Sequence, residues 1–249
     1  MAHGEFVWSN LSSFRPEVTK RFYRKLFGWS YNEMRQPDGW PYHVAKAGDH
    51  EAASIFEMPR QFQDMRLASY WMPYIIVDNL DTACETAIKL GGKVELGPLA
   101  WNSQNQIVLL RDPLGAGFTI HQGNGFSPDP HEGWPGHRAW CSLVVSDAEE
   151  VAPFYRQLFD WDVRRDSTGF SVRTRDGKWV ADITSLKDEM RGPFQFWGVY
   201  FAVHNVKKAA RLAERQGGEI LYEETTPSGP ITLIGDPDGA AFFLIQLNS

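Results

Sequence analysis

The feature that most constrains this chain is an internal repeat. The sequence FYRKLFGW at residues 22–29 returns as FYRQLFDW at residues 154–161, identical at six of eight positions. A second kind of segment, residues 71–92, returns with the same order of Trp, Tyr, Val, Asn and Gly-Gly at residues 197–218. Because self-similarity along a chain indicates repeated structural units, we predict four modules in the order A-B-A′-B′.

The repeat divides the chain into two predicted domains. A length of 249 residues agrees with two domains, at about 150 residues for each. The segment from Gln122 to His137 is rich in Gly and Pro and is typical of a connection between domains. The predicted boundaries are a first domain at 1–125 with modules 1–62 and 68–125, a linker at 126–133, and a second domain at 134–249 with modules 134–190 and 194–249.

Local patterns predict the same elements in each module. Residues 139–144 alternate between two faces, which is the period of a β-strand. Ser146 to Glu149 then reads as a capping box before an amphipathic helix. In the second module Asn79 is the predicted N-cap, and Gly91-Gly92 ends the helix. The sequences DPLG and DPDG, which begin at Asp112 and Asp236, are predicted to be tight turns between antiparallel strands. Each module is therefore predicted to be βαβββ.

Composition and charge exclude several function classes. The chain carries 31 acidic and 25 basic residues, a net charge of −6, which opposes binding to a phosphate backbone. Its apolar runs are shorter than the ~20 residues that cross a bilayer, and we expect no secretory signal. The two cysteines lack metal-binding spacing and suit a reducing compartment. We therefore expect a cytoplasmic monomer or homodimer that binds a small molecule and neither nucleic acid nor membrane.

Repeated βαβββ modules, a helix of the form FYxxLFxW and strands joined at DPxG together resemble the vicinal oxygen chelate superfamily. This superfamily includes glyoxalase I, bleomycin-resistance proteins and extradiol dioxygenases. The resemblance implies an α+β fold of four modules, in which paired modules form a curved mixed sheet around a cavity, with helices outside. It also implies that metal ligands, where present, project from the first and last strands of each module.

The resemblance places the metal-ligand positions of the family on residues of unsuitable chemistry. The positions are Trp8, Met72 and Thr119 in the first half, and Trp140, Gly198 and Phe243 in the second. Indole has no available lone pair, and a thioether suits soft metals. The last strands of the first and third modules are not placed to the residue, although Glu57 and Asp182 lie near them. We therefore expect no cofactor and no family-type metal centre.

Aromatic residues are numerous, with 10 Trp, 8 Tyr and 16 Phe, and some are expected to line binding sites. Because residues two apart share one face of a strand, Trp8 should share a cavity with Asn10, while Val7 and Leu11 face the helix. The predicted ligand-binding residues are Trp8, Asn10, Tyr74 and Thr119 for the first site, and Trp140, Ser142 and Tyr200 for the second. The alternative is that these aromatic residues only fill a core.

His121 is the predicted catalytic residue. It lies two residues after Thr119, so both share one face of a strand, where a neutral imidazole could act as a base or a hydrogen-bond partner. The alternative is an exposed histidine at the end of a strand. Its counterpart in the second half is Ile245, which predicts a more polar first site.

Three functions follow from these observations. The first is a glyoxalase/bleomycin-resistance-like protein that binds a small molecule without a metal. The second is a metal-dependent lyase, isomerase or dioxygenase that holds a divalent metal ion with other residues, such as His43, Glu57 and His121. The third is an interaction or regulatory protein whose cavities have closed. Metal content distinguishes the first two, and the volume of the cavities distinguishes the third.

Overall fold

The structure is a computed structural model that describes residues 3–36, 39–58, 68–102, 105–126, 128–167, 169–186 and 195–247. The predicted module boundaries at residues 62, 190 and 194, and residue 127 of the predicted linker, lie outside the described residues. None of the helices in these ranges is long and apolar enough to cross a bilayer.

The modules of the first half share one order of elements. The first contains β1 (Phe6–Ser13), α1 (Pro16–Phe27), β2 (Ser30–Arg35), β3 (Pro41–Ala47) and β4 (His50–Glu57). The second contains β5 (Tyr70–Ile76), α2 (Leu80–Lys89), β6 (Lys93–Asn102), β7 (Asn105–Arg111) and β8 (Gly117–Gln122). Both are βαβββ, as predicted.

The modules of the second half repeat this order. The third contains β9 (Arg138–Val145), α3 (Ala148–Phe159), β10 (Asp162–Arg165), β11 (Phe170–Arg173) and β12 (Trp179–Ser185). The fourth contains β13 (Phe196–Ala202), α4 (Val206–Arg215), β14 (Glu219–Thr226), β15 (Gly229–Gly235) and β16 (Ala241–Ile245).

Each half of the sequence supplies one mixed sheet of eight strands. The strand orders are β2-β3-β4-β1-β5-β8-β7-β6 and β10-β11-β12-β9-β13-β16-β15-β14, which are the same order twice. In every module the first strand pairs in parallel with the last strand, while the neighbouring hairpins are antiparallel. The predicted α+β fold of four βαβββ modules is therefore confirmed.

The chain also divides into two compact units, and each unit takes segments from both halves of the sequence. The first compact unit is Met1–Trp8, Pro73–Pro128 and Cys141–Gly198, and the second is Ser9–Met72, Asp129–Trp140 and Val199–Ser249. The predicted domains at 1–125 and 134–249 follow the two sheets and stay a prediction.

The helix ends follow the local chemistry. Asn79 caps α2 by accepting the N–H of Thr82 at 2.8 Å, as predicted. Gly91 has φ of 88°, a left-handed conformation that favours glycine. The predicted capping box at 146–149 does not cap α3. Asp147 is the N-cap instead, and one of its carboxylate oxygens accepts the N–H groups of Glu149 and Glu150.

The repeated FYxxLFxW and DPxG motifs meet in the core of each compact unit. In the first unit, the Tyr155 hydroxyl donates to Asp112 at 2.9 Å and accepts from the indole of Trp197 at 2.9 Å. In the second unit, Tyr23 donates to Asp236 at 3.1 Å and accepts from Trp71 at 2.8 Å. The other oxygen of Asp112 accepts N–H groups of its own turn, which confirms the predicted DPxG turn. Each tyrosine thus joins a helix of one sequence half to a turn of the other.

Candidate functional site

The sheet register shows four structurally equivalent pairs of positions. In each module one residue of the first strand lies beside one residue of the last strand. The pairs are Asn10 with Ser54, Tyr74 with Thr119, Ser142 with Asp182, and Tyr200 with Phe243. The same pairing of first and last strand therefore occurs in all four modules, but each module places a different pair of side chains there.

Three of the pairs make direct contacts. The Ser54 hydroxyl donates to the amide oxygen of Asn10 at 3.1 Å. The Ser142 hydroxyl donates to the carboxylate of Asp182 at 2.8 Å. The rings of Tyr200 and Phe243 are stacked, with centroids 4.2 Å apart and an angle of 7°. The positions predicted to bind ligand are thus partly engaged with one another.

The register assigns the last-strand positions that the sequence leaves open. Ser54, and not Glu57, is equivalent to Thr119 and Phe243, while Asp182 is the equivalent residue in the third module. Glu57 lies three residues further along β4 and is exposed. Asp182 is therefore the single carboxylate among these four last-strand positions.

Aromatic and aliphatic side chains of the first compact unit form a cluster that we call the aromatic cluster. Its buried members are Val7, Tyr74, Ile76 and Phe126, and the partly buried Trp8 and Ile107 pack against it. Trp8 stacks on Phe126, with ring centroids 5.4 Å apart and an angle of 28°. Trp8 and Tyr74, two of the predicted ligand-binding residues, are thus brought together.

Val7 departs from the predicted alternation of β1. We expect Val7 to face the helix and Trp8 the cavity, yet both side chains join the aromatic cluster. Ile76 accepts the N–H of Gly4 and donates its own N–H to the carbonyl of Glu5, so the chain just before β1 is held beside β5. Val7 and Trp8 therefore both contribute to one apolar cluster.

His121 lies beside the aromatic cluster and is fully buried, so the alternative of an exposed histidine at the end of a strand is wrong. Its ring contacts Phe126, with centroids 5.0 Å apart. Its Nε2 lies 3.3 Å from the amide oxygen of Asn105, which also accepts the N–H of Gly125. Because an amide oxygen only accepts, Nε2 carries the proton, and Nδ1 carries the lone pair.

The burial of His121 fixes its charge. Loss of hydration lowers the pKa of the imidazole from 6.5 to about 4, so the ring is neutral at pH 7. Nδ1 is itself buried and has no hydrogen-bond partner among the described residues. A buried acceptor without a donor is unfavourable, and it offers a hydrogen-bonding position to a molecule that brings one.

The alternative metal set does not assemble. In the described part of the chain, His, Cys, Asp and Glu side chains form no group of three or more that could hold a metal ion. His43 lies 3.3 Å from the ammonium of Lys20, whose charge disfavours a cation there. Burial and Lys20 lower the pKa of His43. The described residues therefore give no support to a metal shared by His43, Glu57 and His121, which stays a prediction.

The positions implied by the superfamily also fail as a metal site. A zinc-type centre takes three or four thiolate, imidazole or carboxylate ligands. The four last-strand positions provide two hydroxyls, one phenyl ring and one carboxylate. The first-strand positions that the resemblance implies lie two residues before the paired ones, and they provide two indoles, a thioether and a glycine. These residues do not fit the metal that the superfamily implies.

Sequence reasoning missed two residues beside His121. Asn105 begins β7, and Phe126 follows the Gly123–Gly125 segment in the predicted linker. The pairing of Ile107 with His121 brings β7 alongside β8. Only the strand register could have pointed to Asn105, and no local pattern singles out Phe126.

The comparisons with known proteins agree with this architecture. Residues 137–244 match the family model described as the Glyoxalase/Bleomycin resistance protein/Dioxygenase superfamily. The chain is 25% identical over 244 residues to "Putative glyoxylase CFP32" of Mycobacterium tuberculosis (strain CDC 1551 / Oshkosh), covering 96% of this chain and 93% of that protein. It is also 25% identical over 262 residues to the anthracycline biosynthesis protein DnrV of Streptomyces peucetius, covering 99% and 94%.

A solved structure extends the likeness to three dimensions. The Mn(II)-bound glyoxalase from Novosphingobium aromaticivorans superposes with a TM-score of 0.65 at 13% identity, covering 99% of this chain and 83% of that one. At this identity the likeness establishes the fold alone.

The fold and the four equivalent strand pairs define a protein of tandem βαβββ modules that form mixed sheets. The resemblance predicted from sequence is confirmed: residues 137–244 match the family model of glyoxalases, bleomycin-resistance proteins and dioxygenases, and the fold of the chain is that of a solved glyoxalase.

Proposed function

We propose that this chain is a glyoxalase/bleomycin-resistance-like protein that binds a small molecule at aromatic-lined sites without a family-type metal centre. The observation that carries the proposal is the aromatic cluster together with the neutral, buried His121. Apolar and aromatic walls with a few well-placed polar groups are the usual composition of a small-molecule site. His121 supplies such a group, because its Nδ1 has no partner in the described structure.

Ligand contacts in the first half would come from Trp8, Asn10, Tyr74 and Thr119. Tyr74 belongs to the aromatic cluster, and Thr119 lies beside it in the register. In the second half, Trp140, Ser142 and Tyr200 would contribute, with Asp182 as the acidic group beside Ser142. The second site would therefore offer a carboxylate oxygen as acceptor, whereas the first would offer an imidazole nitrogen.

The relatives support binding of a small organic molecule. One carries a name that refers to a glyoxylase, and the other is named for anthracycline biosynthesis. We propose that this chain also binds a small-molecule ligand, as a cytoplasmic monomer or homodimer. The metal-dependent lyase, isomerase or dioxygenase reaction finds no suitable ligand set among the described residues.

A ligand screen on the purified protein tests the proposal. Small aromatic and apolar compounds are tested by thermal shift and Trp fluorescence, with and without EDTA, and metal content is measured by elemental analysis. We expect at least one compound to raise Tm in EDTA. Trp8→Ala should weaken its binding about tenfold or more, as loss of an interaction worth ~1.4 kcal/mol would, while the exposed Trp40→Ala serves as the control.

Two results would contradict the proposal. One is a stoichiometric Zn, Fe, Mn or Ni ion whose removal abolishes binding or activity, because that result supports the metalloenzyme. The other is a Trp8→Ala variant that loses stability with no change in affinity, because that result assigns Trp8 to the core.

A further inference from the structure

We propose that the ring of Phe126 occupies a subsite for one aromatic ring of the ligand, and that a phenol-type ligand binds by displacing it. The inference rests on the proposed function. It adds the class of ligand and the residue that the ligand must replace.

Phe126 is surrounded by residues that the sequence predicts to bind ligand. Its ring stacks on Trp8, and it meets Tyr74 edge to face, with centroids 5.3 Å apart and an angle of 84°. It meets His121 at a centroid distance of 5.0 Å and an angle of 73°. Stacked and edge-to-face arrangements at these distances are the ones that aromatic pairs prefer. The surroundings of Phe126 are therefore those of a bound aromatic ring.

The position of Phe126 in the chain allows its ring to leave. Phe126 is buried, yet it lies outside any strand or helix, after Gly123 and Gly125. Displacing it breaks no ladder of strand hydrogen bonds. By contrast Tyr74 and His121 are held within β5 and β8, so the walls of the subsite stay in place.

Asn105 links this segment to His121. Its amide oxygen accepts both the N–H of Gly125 and the Nε2–H of His121. The backbone approach is close, since a Cβ at Gly125 would lie 2.6 Å from the amide nitrogen of Asn105. The oxygen that binds the backbone next to Phe126 therefore also orients the imidazole with Nδ1 as the acceptor.

The chemistry of Nδ1 selects the class of ligand. A phenyl ring has no hydrogen-bond donor, so Phe126 leaves the buried Nδ1 without a partner. A ring that carries a hydroxyl fills the same space and donates to that nitrogen. The subsite should therefore prefer a phenol to a hydrocarbon ring of similar size.

Phe126→Ala tests this inference, with phenol and benzene as the probes. Affinities are measured by Trp fluorescence and by NMR titration of the full chain. We expect Phe126→Ala to bind phenol about tenfold or more tightly than the wild-type chain does, and about tenfold more tightly than it binds benzene, the ratio that ~1.4 kcal/mol provides. Adding His121→Phe, which keeps a ring but removes the acceptor, should abolish the preference for phenol.

Equal binding of phenol and benzene by Phe126→Ala would overturn the inference, because an engineered apolar cavity accepts both. Affinity for phenol no higher than that of the wild-type chain would also overturn it. If Phe126→Ala does not fold, Phe126→Leu provides the same two comparisons with a smaller loss of packing. A screened compound that binds the wild-type chain without displacing Phe126 would refute this inference and leave the proposed function standing, whereas the absence of any binding compound would refute both.

Discussion

His121 is a buried imidazole whose pKa has a direct effect on stability. Burial lowers this pKa from 6.5 to about 4, since the charged form loses its hydration. Between these two pH values the unfolded chain binds a proton at this residue and the folded chain does not. The free energy of unfolding therefore falls as the pH falls from about 6.5 to 4.

His121→Gln should remove this part of the pH dependence. The wild-type chain should lose about 3 kcal/mol more than the variant between pH 7 and pH 4, because one pKa unit corresponds to ~1.4 kcal/mol. Urea unfolding at several pH values measures the difference. The exposed His204 provides the control substitution His204→Gln. Identical pH profiles for wild type and His121→Gln would show that the imidazole has the same pKa in the folded and the unfolded chain, and would contradict this prediction.

The sequence predicted the strands of some residues in the candidate site, but not the positions of others. Trp8 and Tyr74 were placed on the correct strands, and the structure packs both in or against one cluster. Phe126 could not be predicted, because its position depends on a contact between Gly125 and Asn105, 20 residues apart in the chain. Strand alternation did not predict that Val7 joins the cluster against which Trp8 packs.

At the scale of elements, each DPxG turn holds a buried carboxylate that its tyrosine contacts. Burial raises the pKa of Asp236 from 3.8 to about 6, although hydrogen bonds from Ala240, Asp238 and Tyr23 oppose this shift. Burial likewise raises the pKa of Asp112. Between pH 4 and 6 the folded chain holds a proton at Asp236 that the unfolded chain releases, so the free energy of unfolding falls as the pH rises.

Asp236→Asn should therefore reduce the decline in the free energy of unfolding between pH 4 and pH 7. We expect the wild-type chain to lose about 2.4 kcal/mol more than this variant between pH 4 and pH 7, since most of the shift from 3.8 to about 6 falls within this window. Chemical unfolding across this range provides the measurement. Asp112→Asn is the matched variant in the other compact unit and should act in the same direction, and a variant profile parallel to that of wild type would contradict the assignment.

The helices and turns were the elements that sequence patterns predicted best. Caps and tight turns depend on contacts between residues two to four apart, as at Asn79 and Asp112. The last-strand positions of the first and third modules needed the register of parallel pairs, in which Ser54 lies 44 residues from Asn10. A local pattern carries no information on such a pairing.

At the scale of the whole molecule, the sheets and the compact units divide the sequence differently. Each sheet comes from one half of the sequence, whereas each unit contains segments of both halves. The bond between Tyr155 and Asp112 shows this within the first unit, and the bond between Tyr23 and Asp236 shows it within the second. The four-module order was predicted from the repeat, but the pairing of distant modules in the units was not.

We expect neither residues 1–125 nor residues 134–249 to fold alone, because each fragment lacks part of both compact units. The two fragments expressed together should associate and recover the near-UV circular dichroism of the intact chain. Cooperative unfolding of either isolated fragment would contradict this expectation. Cleavage of the intact protein within the predicted linker at 126–133 should leave the two pieces associated.

The composition of the second compact unit also sets the order in which the chain can fold during synthesis. Its first long segment ends at Met72, and its last begins at Val199. At about 5–20 residues per second, the ribosome needs roughly 10 to 35 s to make the rest of the chain after Met72. During that time the Tyr23 hydroxyl and the aromatic residues around it lack Asp236, which has not yet been synthesised. The nascent chain therefore exposes apolar surface that chaperones can bind.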